Sequence, residues 1–116
     1  MTTKDIDKIN LEISKIIDNN FLIIVEGKKD IASLNNLGIK NIISLENKPL
    51  FKIIESINEK EVIILTDLDK EGKKLFNKLR YNLQKNRIKI NIKLRNLLFK
   101  NKLSHIEGPD TYLKQQ

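Results

Sequence analysis

Along the first twenty residues, Ile6, Ile9, Ile13, Ile16 and Ile17 recur at the spacing of one helical face, so a helix is expected over 2–19. Thr2 and Asp5 form a capping-box pair at its start. The periodicity then changes. Phe21-Leu22-Ile23-Ile24-Val25 is an unbroken apolar run rich in β-branched residues, the pattern of a strand covered on both faces. Val62-Ile63-Ile64-Leu65 is a second run of this kind. Asn41-Ile42-Ile43-Ser44 and the segment 88–92 are weaker strands. Helical segments fall between them, over 29–37 ended by Gly38, over 49–58 with Pro49 in the first turn, and over 70–85. A short helix is expected over 95–100, and the tail 104–116, with Gly108-Pro109, carries no readable period.

Strands alternating with helices predict βαβ units with right-handed crossovers. The expected architecture is an α/β three-layer sandwich, a four-stranded parallel sheet in the order 2-1-3-4 flanked by helices. No internal repeat, low-complexity tract or linker interrupts it. The 116 residues therefore read as one domain, with an N-terminal helix over 2–19, a core over 20–93 and a C-terminal helix and tail over 94–116.

Composition narrows the chemistry. Hydrophobic residues make up 40% of the chain, enough for a small core and too many for disorder. The absence of Cys excludes a disulfide framework, thiolate metal sites and thiol catalysis, and a single His excludes a two-His motif. No apolar run approaches the ~20 residues of a membrane span, and the N-terminus is polar, so a cytoplasmic protein with no membrane partner is expected.

The net charge of +7 is weak evidence for a polyanionic partner, because Ile, Lys and Asn are heavily used everywhere. Its placement says more. Residues 70–102 hold twelve Lys or Arg and one acid, Glu71, which makes either a solvated face or a nucleic-acid dock. Arg95 and Lys102 are candidate phosphate contacts there. No aromatic interleaving in the stretch supports base stacking, Tyr81 and Tyr112 read as anchors of helices to the core, and His105 reads as a surface or cap residue. The isoleucine stripe of the first helix reads as sheet cover, or else as a homodimer seam.

Each of the two best strands is followed by acid: Glu26-Gly27 after the first, Asp67-Leu68-Asp69 after the third. In an open α/β sheet, ligands bind beyond the carboxyl ends of the strands, where strand order reverses. With the first and third strands adjacent, about 4.8 Å apart, Glu26 and Asp67 leave neighbouring strand ends. Carboxylates about 5 Å apart repel by roughly 3 kcal/mol per pair at an effective dielectric near 20. A hard cation such as Mg²⁺, with water and phosphate completing its shell, answers that repulsion. Gly27 and Gly72 would let backbone approach a phosphate, and the helix N-termini after them would offer N–H groups to it. The loop from Asp67 to Gly72 mimics an EF-hand start, but the twelfth position is Lys78 and an apolar strand precedes it, which excludes that reading.

The stretch Phe21 to Asp30, an apolar strand followed by Glu26-Gly27-Lys28-Lys29-Asp30, resembles the first motif of the Toprim domain. The stretch Ile63 to Gly72, with Asp67-x-Asp69-x-x-Gly72, is similar to its second. The likeness covers about residues 20–93 and is strongest to small stand-alone archaeal Toprim proteins, through Ile106 to Leu113 in the tail; the likeness to ribosomal-RNA maturation nucleases is looser. It implies catalytic and metal-binding roles for Glu26, Asp67 and Asp69, with Glu26 as general acid/base or extra ligand. The implied ion is Mg²⁺, with Mn²⁺ as an alternative. Lys28, Lys29, Lys70 and Lys73 would hold phosphates, Gly27, Gly72 and Asp30 would be structural, and Glu107 would be a further acid. There is no room for a topoisomerase's tyrosine-bearing domain, no Cys for a primase zinc module and no GxxxxGK[ST] for an ATPase-linked nuclease. The expected function is a Mg²⁺-dependent nuclease or related phosphotransferase on RNA or DNA. The alternative is a non-catalytic metal- and nucleic-acid-binding module of a larger processing complex.

Overall fold

The computed structural model describes residues 2–101. Helix α1 (Thr3–Asn19) leads into β1 (Leu22–Val25), α2 (Lys28–Asn36), β2 (Ile42–Ser44), α3 (Leu50–Ser56), β3 (Glu61–Leu65), α4 (Lys70–Lys85), β4 (Lys89–Asn91) and α5 (Lys93–Lys100). The four strands form one parallel sheet in the order β2-β1-β3-β4, as the strand and helix pattern predicts.

Leu22–Val25 and Val62–Leu65 are buried at every position because successive side chains enter different layers. Ile23, Val25, Ile63 and Leu65 pack with Ile6, Ile9, Ile13 and Ile16 of α1, Leu34 of α2, and Leu94 and Leu98 of α5. Leu22, Ile24, Val62 and Ile64 pack on the other face with Ile53 of α3 and Leu79 and Leu83 of α4. The isoleucine stripe of α1 is therefore sheet cover, occupied within the chain rather than offered to a second copy. Ile17 falls outside it, 42% exposed.

Local chemistry sets the ends. Thr2 and Asp5 do form a capping box, with the Thr2 hydroxyl accepting the Asp5 N–H at 3.1 Å. Pro49 is the residue before α3 rather than part of its first turn, since its ψ of 134° keeps it extended. Helix α5 starts at Lys93, two residues earlier than expected, because the Asn91 side chain accepts the Lys93 N–H at 3.1 Å. Gly38, with φ of 95°, turns the chain after α2 in a region that disfavours side chains. His105, Glu107 and Tyr112 lie outside the described residues.

Candidate functional site

Val25 and Leu65 are paired in the sheet, so β1 and β3 end side by side, and the chain leaves β1 at Glu26 and β3 at Thr66-Asp67. This is the point where strand order reverses, with β2 on one side and β4 on the other. The Glu26 carboxylate accepts the backbone N–H of Asp67 at 3.0 Å, across 41 residues of sequence. Burial pushes the Glu26 carboxyl above its usual range, and the charges of Asp67, Asp69 and Asp30 push it further, against the pull of that hydrogen bond. The two acidic stretches thus meet.

The other motif residues have local duties as well. Asp69 caps α4, its side chain accepting the Gly72 N–H at 2.8 Å. Asp30 is buried and accepts the Gly27 N–H at 3.1 Å. Glu46, just beyond β2, accepts the Lys28 N–H at 3.0 Å. The helix N-termini that follow the motifs are therefore met by the chain's own carboxylates, where the sequence suggested N–H groups left open for phosphate. Gly72 also has a different reason from the one expected. A Cβ there would collide with the Asp67 carbonyl, so the glycine makes room for its own loop. A Cβ at Gly27 would come within 3.3 Å of the Glu46 carboxylate.

Arg95 needs the largest correction. It is 7% exposed and lies on the inward face of α5, not on the solvated basic surface as a phosphate contact. Its guanidinium donates to the Thr66 carbonyl at 2.6 Å and to the Thr66 hydroxyl at 3.1 Å, and lies 4.2 Å from the centre of the Phe76 ring. Burial pulls its pKa down, while the charges of Glu26 and Asp67 pull it up. Arg95 is thus a buried counter-charge behind the carboxylates. Thr66, itself 1% exposed, passes the connection on by donating to the Gly72 carbonyl at 2.8 Å.

Lys28, Lys29, Lys70 and Lys73 stand exposed in the first turns of α2 and α4, beside the acids. Tyr81, read from the sequence as a core anchor, is 64% exposed on α4. Among the described residues, no three His, Cys, Asp or Glu side chains are gathered closely enough to hold a metal ion. The donors at the strand ends are nonetheless all carboxylate oxygens. That chemistry fits a hard divalent ion bound through one or two carboxylates, with water and phosphate supplying the rest, and does not make a closed cage. Asp67 and Asp69 are the residues that would hold it.

The Toprim domain family model matches residues 20–93, the span that contains both acidic motifs. The chain belongs to the Toprim family. Similar proteins include small archaeal ones, in line with the expected likeness. A UPF0292 protein of Methanosarcina barkeri is 34% identical over 116 aligned residues, covering 95% of this chain and 81% of that protein. A UPF0292 protein of Methanocaldococcus jannaschii is 37% identical, covering 66% of this chain and 63% of its own length, so this chain spans less than two thirds of that relative. A solved structure, a putative protein from Aquifex aeolicus, superposes with a TM-score of 0.79 at 30% identity, over 87% of this chain and 94% of the other. Toprim domains generally bind divalent metal ions and are associated with nucleic acid. No described helix of this Toprim chain is long and apolar enough to cross a membrane.

The sequence reading missed Glu46 and the inward role of Arg95. A signal for Glu46 was present, because it is an acid two residues beyond β2, at the same end of the sheet as Glu26. Nothing in the basic stretch 70–102 marked Arg95 apart from its neighbours except its place between Leu94 and Leu98.

Proposed function

We propose that this Toprim chain is a Mg²⁺-dependent nuclease or related phosphotransferase acting on RNA or DNA. The observation that carries the reading is the Glu26 carboxylate, held by the Asp67 N–H with its pKa raised beside Asp67 and Asp69. A carboxyl so raised is suited to take and return a proton at the Oε atoms during phosphoryl transfer. The Asp67 N–H fixes Oε1, which leaves Oε2 as the atom that exchanges the proton. Lys28, Lys29, Lys70 and Lys73 bind and orient the phosphates that flank the scissile one. Arg95 holds the Thr66 carbonyl and so fixes the direction in which the chain leaves β3. When bound, Mg²⁺ supplies charge neutralisation on the scissile phosphate.

Asp67→Asn and Glu26→Gln are each expected to lower Mg²⁺-dependent cleavage of labelled RNA or supercoiled DNA by at least about 100-fold, with an unchanged far-UV CD spectrum. Cleavage at the wild-type rate by both purified variants would refute the assignment. A second reading is favoured because no three acids are gathered among the described residues: a module that holds metal and nucleic acid without turnover. It expects salt-steep binding and no product in Mg²⁺ from the full chain.

A further inference from the structure

We propose that α4 and α5 present a stacking platform for unpaired bases, so that the nucleic acid bound by this chain is single-stranded. The inference rests on the nucleic-acid reading above and adds the substrate's form. Phe99 on α5 is 56% exposed and Tyr81 on α4 is 64% exposed. Both rings stand largely in water on helices of the basic stretch 70–102, and these two helices touch through Lys73 with Phe99 and Phe76 with Arg95. Each ring lies beside an ammonium group: Lys73 Nζ is 5.2 Å from the centre of Phe99, and Lys85 Nζ is 5.1 Å from the centre of Tyr81.

The placement is directional. Lys73 is one turn beyond Asp69, the α4 cap, so the lysine that meets Phe99 springs from the end of α4 nearest the acids. Tyr81 lies eight residues farther along α4, about 12 Å at the helical rise. It sits within the exposed face that also carries Lys74 and Lys78. Helix α4 holds six basic residues against one acid, Glu71. A phosphate backbone laid along this face meets positive charge throughout, while bases turned toward the protein meet the two rings. A duplex keeps its base faces inside its own stack and has none to offer. An unpaired strand does, and any base can stack, so the platform recognises strandedness rather than sequence.

The test is fluorescence anisotropy in EDTA with the full chain. It uses a 5′-labelled dT12, the matching U12 and a blunt 12-base-pair duplex. Working without Mg²⁺ separates this result from cleavage, which stands or falls on Asp67 and Glu26. The single strands are expected to bind at least about tenfold more tightly than the duplex. Phe99→Ala and Tyr81→Ala are each expected to weaken single-strand binding by at least about fivefold and duplex binding little. Both sites are exposed, so folding should persist, and CD checks it. The chain has no Trp. Phe99→Trp and Tyr81→Trp should therefore each report stacking by quenching on addition of dT12, while retaining affinity. Comparison of dT12 with U12 tells DNA from RNA. Equal affinity for duplex and single strand, no binding of either single strand at low salt, or unchanged single-strand affinity in the Phe99→Ala Tyr81→Ala double variant would each overturn the proposal.

Discussion

At the level of single residues, Glu26 and Arg95 combine charge with burial, and their behaviour can be worked out by sign. Glu26 has a folded pKa raised by burial and by its acidic neighbours. In the window above its unfolded value, the unfolded chain binds fewer protons at this site than the folded one, so stability contributed here falls as pH rises. Glu26→Gln keeps an oxygen that can accept the Asp67 N–H and removes the charge. It is expected to raise the melting temperature at pH 7 and to leave it unchanged at pH 3.5, measured by differential scanning calorimetry. A stabilisation equal at both pH values would contradict this account. Arg95 has the opposite character. Arg95→Met keeps the stem against Phe76 and removes the donor to Thr66, at a cost of about 2–3 kcal/mol in urea unfolding. Loss of a positive charge behind the site should also move the Glu26 midpoint further up, readable by carboxyl NMR titration.

At the level of elements, the junctions after β1 and β3 do most of the positioning, and their glycines differ. At Gly72 a side chain would meet backbone, which has nowhere to move, and Gly72→Ala is expected to cost about 1–3 kcal/mol and to disturb the Asp67 loop. At Gly27 the obstacle is the end of the Glu46 side chain, which can swing away, so Gly27→Ala should stay within about 0.5 kcal/mol. Chemical denaturation of the two variants side by side makes the comparison. Asp69 allows a sharper separation. Asn caps a helix as well as Asp does, so Asp69→Asn should hold wild-type stability and lose Mg²⁺-dependent activity, whereas Asp69→Ala should lose about 1 kcal/mol as well.

At the scale of the whole molecule, the sheet was legible because its two central strands are apolar on both faces, a pattern that a covered parallel sheet satisfies, and because helical segments alternate with them. The same strands put Glu26 and Asp67 together, so the meeting of the acids was legible too. What sequence could not separate was one basic residue from the next. Lys70, Lys73 and Arg95 look equivalent in a stretch of twelve cations, but only the packing of Leu94 and Leu98 into the core turns Arg95 inward. Tyr81 was misread for a related reason: on α4 the inward positions go to Leu79 and Leu83, and the ring two residues past the first of these falls on the water side. The asymmetric charge makes a final expectation. Binding of any nucleic acid should weaken linearly in log–log form with added salt, and Lys74→Ser with Lys78→Ser should flatten that slope by about 2.

The grip on Glu26 comes from the main chain of residue 67, not from its side chain. Every replacement at that position except proline retains the amide, so the acid at 67 can be erased while the one at 26 stays tethered. The paired groups can be dismantled one at a time, and a loss of turnover on removing the first cannot be blamed on the second having swung loose.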